Sequence, residues 1–318
     1  MKPIVDFKGK ETGVSASSLT KSRKIRSDFL NKYGCIPESI LVNDRSVKRT
    51  DFMVDELRGV YQKRESKKVV EETGLTQDLL FKSAVGIRGR KDSKSKDRLS
   101  TFPQNIGRII TDIYCPENGI VYDPFAGHNS RMELVFNLNR EYIGVDISHK
   151  FMEANRKIKD ILIKNRKSGL GLLGEMKTIT LIEGSSVKVN LPNNYADFTI
   201  TSPPYWDIEW YGDEPEQLGN AKTYDKFLDL LFEHVKENYR ILKNNSFCCW
   251  FVNDFRRNKK FLPYHIDMYC LLEDAGFTPF NIYILDLGQS IGQAFVQDII
   301  NNKLFPKRHE YCLIFKKE

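Results

Sequence analysis

The hexapeptide Thr201-Ser202-Pro203-Pro204-Tyr205-Trp206 follows the apolar run Phe198, Thr199, Ile200 and sets two prolines directly before two aromatics. Neither proline carries a backbone N–H, and each restricts the residue before it to extended conformations. The stretch is therefore a stiff ribbon rich in acceptors and poor in donors. A ligand that donates hydrogen bonds suits such a ribbon. The exocyclic amine of a nucleobase is one, with Tyr205 able to stack on the same base and Trp206 to pack beneath the loop. A second stretch, Asp123-Pro124-Phe125-Ala126-Gly127-His128-Asn129-Ser130-Arg131, reads as a turn between a strand and a helix. Gly127 lets the backbone pass close to a ligand, and Asn129 is among the few other residues that tolerate positive φ. Asp146 lies 23 residues after Asp123, close to the ~20-residue spacing at which an acidic side chain meets ribose hydroxyls in nucleotide-binding folds. That spacing points to a nucleoside cofactor, and the missing G-x-G-x-x-G argues against a dinucleotide. Asp146 also suits a plain strand-end cap, and the double proline also suits a docking peptide or an ordinary loop.

The elements that must hold these residues alternate in type. Ile106, Ile109, Ile110 and Ile113 recur at helical spacing, and Gly119–Phe125 is a short buried strand entering a turn. Then follow a helix from Asn129, a strand over 141–147, a helix over 151–167, strands over 178–184 and 196–202, and a helix over 226–243. A strand over 246–252, a helix over 263–276 and two final strands, 277–285 and 309–315, complete the series. Such alternation predicts an α/β sheet with helices on both faces. The two last strands, read with no helix between them, are expected to pair antiparallel at the sheet edge. In open sheets of this kind ligands bind beyond the carboxyl ends of the strands, where both chemical stretches fall. The connection 207–224 is longer than the usual two to six residues, so it is read as functional. Trp210 and Tyr211 in it are candidates for a base-wedging role or a small satellite core. Asp254, Arg256 and Arg257 fall at the same edge, as phosphate contacts or as solvated charges.

Charge divides the chain. Residues 1–100 hold 23 Lys and Arg against 14 Asp and Glu, a net of +9, so the other 218 residues hold 26 against 28, a net of −2. A polyanion such as DNA would meet the N-terminal third first, although a solvated basic face has the same composition. The polar, glycine-dotted stretch 86–100 reads as a linker, which places a basic, largely helical N-terminal region at 1–99 and the main domain at 100–318. The six cysteines form no C-x-x-C pair and the five histidines no i, i+4 pair, so no metal site is expected. No apolar run approaches the ~20 residues that span a bilayer, and a cytoplasmic setting without membrane association is the expectation.

Taken in order, these stretches resemble the amino-group DNA methyltransferases, which move a methyl group from S-adenosylmethionine to cytosine N4 or adenine N6. The resemblance covers about residues 100–318. It implies a Rossmann-like class I methyltransferase sheet, mostly parallel with an antiparallel last strand. It implies that the Asp-Pro-Phe-x-Gly turn (Asp123, Phe125, Gly127, with Asn129) holds the methionine part of the cofactor. Asp146 with its neighbour Ile147 would take the ribose. The segment around Thr101 and Phe102 would close over the methionine end, and Ser185 would stand where an aspartate commonly contacts the adenine. Ser202, Pro203, Pro204 and Tyr205 would hold the target base, the serine form of the motif favouring cytosine N4. DNA is the implied partner and restriction–modification the implied setting. Adenine N6 presents the same chemistry. A catalytically silent nucleic-acid-binding protein of the same fold is the alternative from another class, motivated by His128 and Asn129 and by the Gly184-Ser185-Ser186 segment, where the family has other residues.

Overall fold

A computed structural model describes residues 24, 25, 27, 28, 31, 32, 38–42, 102–170, 176–208, 214–287, 296–305 and 307–318. The chain divides into two compact units, Met1–Ser39 and Ile40–Glu318. In the first, residues 24, 25, 27, 28, 31 and 32 are helical.

The second unit is built on an eight-stranded sheet in the order β1-β9-β10-β6-β5-β2-β3-β4. In chain order its elements are β1 (Ile40–Val42), α1 (Gln104–Tyr114), β2 (Ile120–Asp123), α2 (Ser130–Asn137), β3 (Glu141–Asp146), α3 (His149–Leu170), β4 (Ile179–Glu183) and β5 (Ala196–Thr201). They continue with α4 (Tyr224–Ile241), β6 (Leu242–Val252), the hairpin β7 (Phe255–Arg257) and β8 (Lys260–Leu262), α5 (Tyr264–Asp274), β9 (Thr278–Asp286), α6 (Val296–Asn302) and β10 (His309–Lys316). Strands β4, β3, β2, β5 and β6 run parallel, and β10 runs antiparallel to both β6 and β9.

Period-two burial splits the core between the two faces of this sheet, as alternation along a strand requires. In β6, Cys248, Trp250 and Val252 pack with α4 and α5, while Cys249 and Phe251 pack with α1, α2 and α3. Helix α4 shows why the sequence yields a helix there. Phe227, Leu231, His234, Val235, Asn238 and Ile241 are buried at i, i+4, i+7, i+8 spacing, and the Thr223 hydroxyl caps the first turn by accepting from the Lys226 N–H at 3.2 Å.

Three sequence expectations need correction. The boundary at 99/100 leaves out β1: Ile40, Leu41 and Val42 pair in parallel with Ile284, Leu285 and Asp286, and Leu41 is 5% exposed in the core. A three-residue apolar run is too short to show a period, so it passes unnoticed in the sequence. The final hairpin is not the sheet edge, because β10 lies between β6 and β9 and β1 lies outside β9. Helix α6 stands between β9 and β10, where no helix was expected. The 86–100 linker lies outside the described residues.

Candidate active site

Strand order fixes where a ligand can sit. From β2 the chain proceeds to β3 and β4 on one side, then returns to place β5 and β6 on the other. The crevice at this switch point lies between the carboxyl ends of β2 and β5. The turn after β2 is the Asp123–Arg131 stretch, and the ribbon after β5 begins at Ser202. A hydrogen bond ties the two together, Thr201 Oγ1 donating to Asp123 Oδ1 at 2.7 Å.

Asp123 is wholly buried, and its four acceptor positions are all in use. Oδ1 accepts from Thr201 and from the Phe125 N–H at 3.3 Å; Oδ2 accepts from Arg131 Nε at 2.6 Å and Tyr142 OH at 2.9 Å. Arg131 also donates to the carbonyls of Phe125 and Ala126, so one guanidinium braces the turn from within. The carboxylate is thus a strut joining β2, β3, β5 and α2 and does not face the ligand crevice, which corrects its expected role in direct cofactor contact. Burial of so many polar atoms is tolerable because each has a partner.

A cleft opens at the carboxyl ends of these strands. Of the residues expected to meet a cofactor, Phe125, Gly127, Asp146, Ile147 and Ser185 line it, and so do all four of Ser202, Pro203, Pro204 and Tyr205. Phe102 does not. Its ring is buried against Phe251, centroids 4.9 Å apart, with the Arg131 guanidinium 5.6 Å from its own centroid. Thr101 lies outside the described residues. Asn129 is buried behind the turn with φ −56°, not the positive φ expected, because it starts α2; it is Gly127 that takes φ +53°.

Gly127 is pinned on both sides. Its N–H donates to Asp146 Oδ2 at 2.7 Å, and its carbonyl accepts from Asn155 Nδ2 at 2.8 Å. Asp146 Oδ1 accepts from the Ser148 N–H at 2.8 Å. The strand-end cap and the ribose role are therefore compatible in one residue: each carboxylate oxygen spends one acceptor position on the backbone and keeps another for the cleft. Burial pushes the Asp146 carboxyl up to about 6, against the pull of those two N–H donors. At Gly184, φ is +143° and a Cβ would meet nothing within 4 Å, so this turn presents bare backbone to the cleft.

Several lining residues escaped the sequence reading. Phe151, on α3, adds an apolar wall, and Gln217 and Leu218 come from the long 207–224 connection. That connection reaches back to α3, where Glu214 Oε1 accepts from the His149 N–H at 3.1 Å. Trp210 and Tyr211 lie outside the described residues. His234 reaches the cleft from α4; its Nδ1 is 2.7 Å from Ser186 Oγ and its ring centroid 5.1 Å from that of Phe125. Burial pushes His234 down to about 4, so it is neutral near pH 7. Its place on the apolar stripe of α4 is the one sequence signal that marks it.

Around the ribbon, polar groups are disposed unevenly. Tyr264 OH donates to the Pro204 carbonyl at 3.1 Å, and Trp206 Nε1 donates to the Ala221 carbonyl at 2.8 Å, which packs the indole beneath the loop as expected. Tyr205 rests edge-on against Tyr264 (5.6 Å) and Phe255 (6.1 Å). The Ser202 hydroxyl has no hydrogen-bond partner among the described residues.

A mostly parallel sheet with its last strand antiparallel, and a cleft at the switch point, define the class I methyltransferase architecture. A family model described as DNA methylase matches residues 18–157 and 196–318, most of the chain, and the chain belongs to that family. The unmatched interval contains β4 and the Gly184–Ser186 turn. Among curated proteins the chain is similar to the Type II methyltransferase M.Cfr9I of Citrobacter freundii, 34% identical over 74 residues, 23% of this chain and 24% of that protein. It is also similar to the Type II methyltransferase M.MjaVI of Methanocaldococcus jannaschii, 28% identical over 99 residues, 31% of this chain and 49% of that protein. The chain thus spans at most about half the length of these relatives. A SAM-dependent methyltransferase of Methanosarcina mazei has a similar structure, with TM-score 0.44 and 13% identity over 69% of this chain and 99% of that one.

The residues present fit S-adenosylmethionine, the cofactor of this class. Two bare glycine turns admit a ligand backbone, Asp146 keeps acceptor positions for ribose hydroxyls, and Ile147, Phe151 and Leu218 supply apolar walls for a flat base. No helix among the described residues is long and apolar enough to cross a membrane. No cluster of metal-ligating side chains occurs among them.

Proposed function

We propose that this protein methylates DNA at an exocyclic amine, and specifically at N4 of cytosine. One observation carries the reading: the acceptor ribbon Ser202–Tyr205 and the nucleoside-binding groups Gly127 and Asp146 line a single cleft. Bound S-adenosylmethionine supplies a methyl group on a positively charged sulfur. The chain's own residues deal with the amine, whose lone pair is delocalised into the base ring and is a poor nucleophile. Ser202 Oγ and the Pro203 carbonyl each accept one N–H, holding the nitrogen out of conjugation with its lone pair directed at the methyl group. The Ser202 hydroxyl is available for this because it has no partner among the described residues. Tyr205 stacks on the base, and its edge contacts with Tyr264 and Phe255 hold its ring in place. The excess proton leaves to solvent or through Ser202.

Serine in the first position of the motif supports cytosine over adenine, by resemblance within the family. The excess of basic residues in the N-terminal third supports DNA contact there. Incubation of the protein with DNA and labelled S-adenosylmethionine, followed by nucleoside mass spectrometry, tests the reading. N4-methylcytosine is the expected product. N6-methyladenine would reassign the base, and no labelled nucleoside together with no cofactor binding by calorimetry would leave the catalytically silent alternative.

A further inference from the structure

The hairpin β7–β8 has no part in the cleft, yet it grows from the aromatic cluster that supports the target-base ribbon. Phe255, at its root, lies 6.1 Å from Tyr205, 5.8 Å from Tyr264 and 6.0 Å from Tyr224, and Leu262 opposite it is buried. Beyond this root, residues 256–261 are all exposed, and Arg256, Arg257, Lys259 and Lys260 are four cations in five consecutive residues. Residues 101–318 carry a net of −2 with these four cations counted, so the hairpin is a local concentration of positive charge.

Folding alone gives this sequence little support. The pairing is Phe255↔Leu262, Arg256↔Phe261 and Arg257↔Lys260, so two like charges stand directly opposite across the ladder, an arrangement that destabilises a hairpin. The two turn residues Asn258 and Lys259 have φ of 49° and 65°, and while asparagine tolerates that region, lysine gains nothing there. Arg257 is offset by Asp207 at 2.6 Å. Lys259 and Lys260 have no acidic partner among the described residues, and Arg256 lies over the exposed Phe261 ring at 5.3 Å. Arg256 Nη1 also donates to the Lys259 carbonyl at 3.3 Å, and the three cations lie exposed on a short hairpin whose root packs against the stacking tyrosine of the base motif.

We propose that this hairpin grips the phosphate backbone of duplex DNA beside the nucleotide turned into the cleft, through Arg256, Lys259 and Lys260. The inference rests on the reading that DNA is the substrate. The polyanion removes the repulsion that the free hairpin carries, and the contact carries no sequence information, so it positions rather than selects.

The test is the salt dependence of binding to a short random-sequence duplex, comparing the parent chain with the triple variant Arg256→Gln, Lys259→Gln, Lys260→Gln. Each phosphate contact contributes about 0.9 to the slope of log affinity against log salt, so the variant slope should be shallower by about 2.7. The affinity advantage of the parent should then shrink roughly 40-fold between about 50 and 200 mM salt. Cofactor affinity and thermal midpoint should be unchanged. Lys260→Gln alone should reduce the slope by about 1 and leave the hairpin no less stable, since it relieves the opposition to Arg257. Equal slopes in a parent that still methylates DNA would overturn the hairpin inference and leave the substrate reading intact. A slope difference confined to duplex RNA would overturn it in favour of an RNA partner. A parent that neither binds nor methylates DNA removes the substrate reading, and this inference with it.

Discussion

At the carboxyl end of β2 every acceptor position of Asp123 is occupied; at the carboxyl end of β5, one strand away, the Ser202 hydroxyl is unpartnered among the described residues. The first turn spends its polar groups on itself. Arg131, Tyr142, Thr201 and the Phe125 N–H converge on one buried carboxylate, and what the ligand meets is the glycine backbone and the second-strand Asp146 that this strut holds in place. The ribbon spends its groups the other way. Its prolines remove donors, and its hydroxyl is left open toward the cleft. The lesson is that two motifs lying side by side at one site divide the work, one supplying rigidity and the other supplying acceptors.

That division is broken most severely at Asp123. In Asp123→Ala a buried guanidinium loses its counter-charge, and the Tyr142 and Thr201 hydroxyls lose their acceptor. Removal of one partner of a buried pair costs about 3–5 kcal/mol. Urea denaturation should register this loss, whereas Ser202→Ala should stay within about 0.5 kcal/mol of the parent, as an unpartnered hydroxyl implies. Similar losses in the two variants would erase the contrast.

Activity should rank the same pair in reverse, per folded molecule. Loss of one well-placed polar group at a reacting centre typically lowers turnover on the order of 10²-fold, which is the expectation for Ser202→Ala. Its cofactor affinity by calorimetry should match the parent. A Ser202→Ala chain as active as the parent would mean that the serine does not hold the amine.

The sequence made much of this division legible, but not the part that assigns Asp123. The alternation of strands and helices and the order of the two motifs follow from hydrophobic period and turn chemistry, which are local properties. The same is true of Gly127 and Asp146, whose spacing is set by one strand–helix–strand unit. What Asp123 faces is not local: Thr201 lies 78 residues away, and only the switch in strand order brings it alongside. Phe102 was misplaced for a related reason. An aromatic just before α1 suits a lid and a core equally well, and the T-shaped packing on Phe251 of β6 decides for the core. His234 was hidden by its own helix, where an apolar-face position reads as packing until the fold shows that the face borders a cleft.

A smaller effect sharpens the cofactor side of the comparison. Burial pushes the Asp146 carboxyl from its ordinary 3.8 up to about 6 in the folded chain. A folded pKa raised in this way means that ionising Asp146 weighs against the fold: its contribution to stability declines as pH rises from about 4 to about 6, and is level above. Cofactor binding should show the opposite sense. The ionised carboxylate is the better acceptor for ribose hydroxyls, so affinity should be level above pH 6 and fall below it, by up to about tenfold per unit. His234, pushed down to about 4 by burial, stays largely neutral between pH 7 and 5. In Asp146→Asn the same titration should be flat as well as weaker, and a parent affinity constant from pH 7 to 5 would remove Asp146 from the ribose role.

The finest probe is the hydrogen bond that the ribbon accepts from α5. Tyr264 OH donates to the Pro204 carbonyl, and burial pushes the phenol well above its usual range, so it stays a donor at every working pH. Tyr264→Phe keeps the ring that packs against Tyr205, Phe227 and Phe255 and removes only this donor. The cost should be about 1 kcal/mol in stability. Its effect on catalysis separates stiffness from chemistry. If the prolines alone hold the ribbon, turnover should stay within a few-fold of the parent, and cofactor affinity should not move. A loss comparable to that of Ser202→Ala would mean that the ribbon draws its rigidity from α5, and that the division between the two motifs extends to a third element.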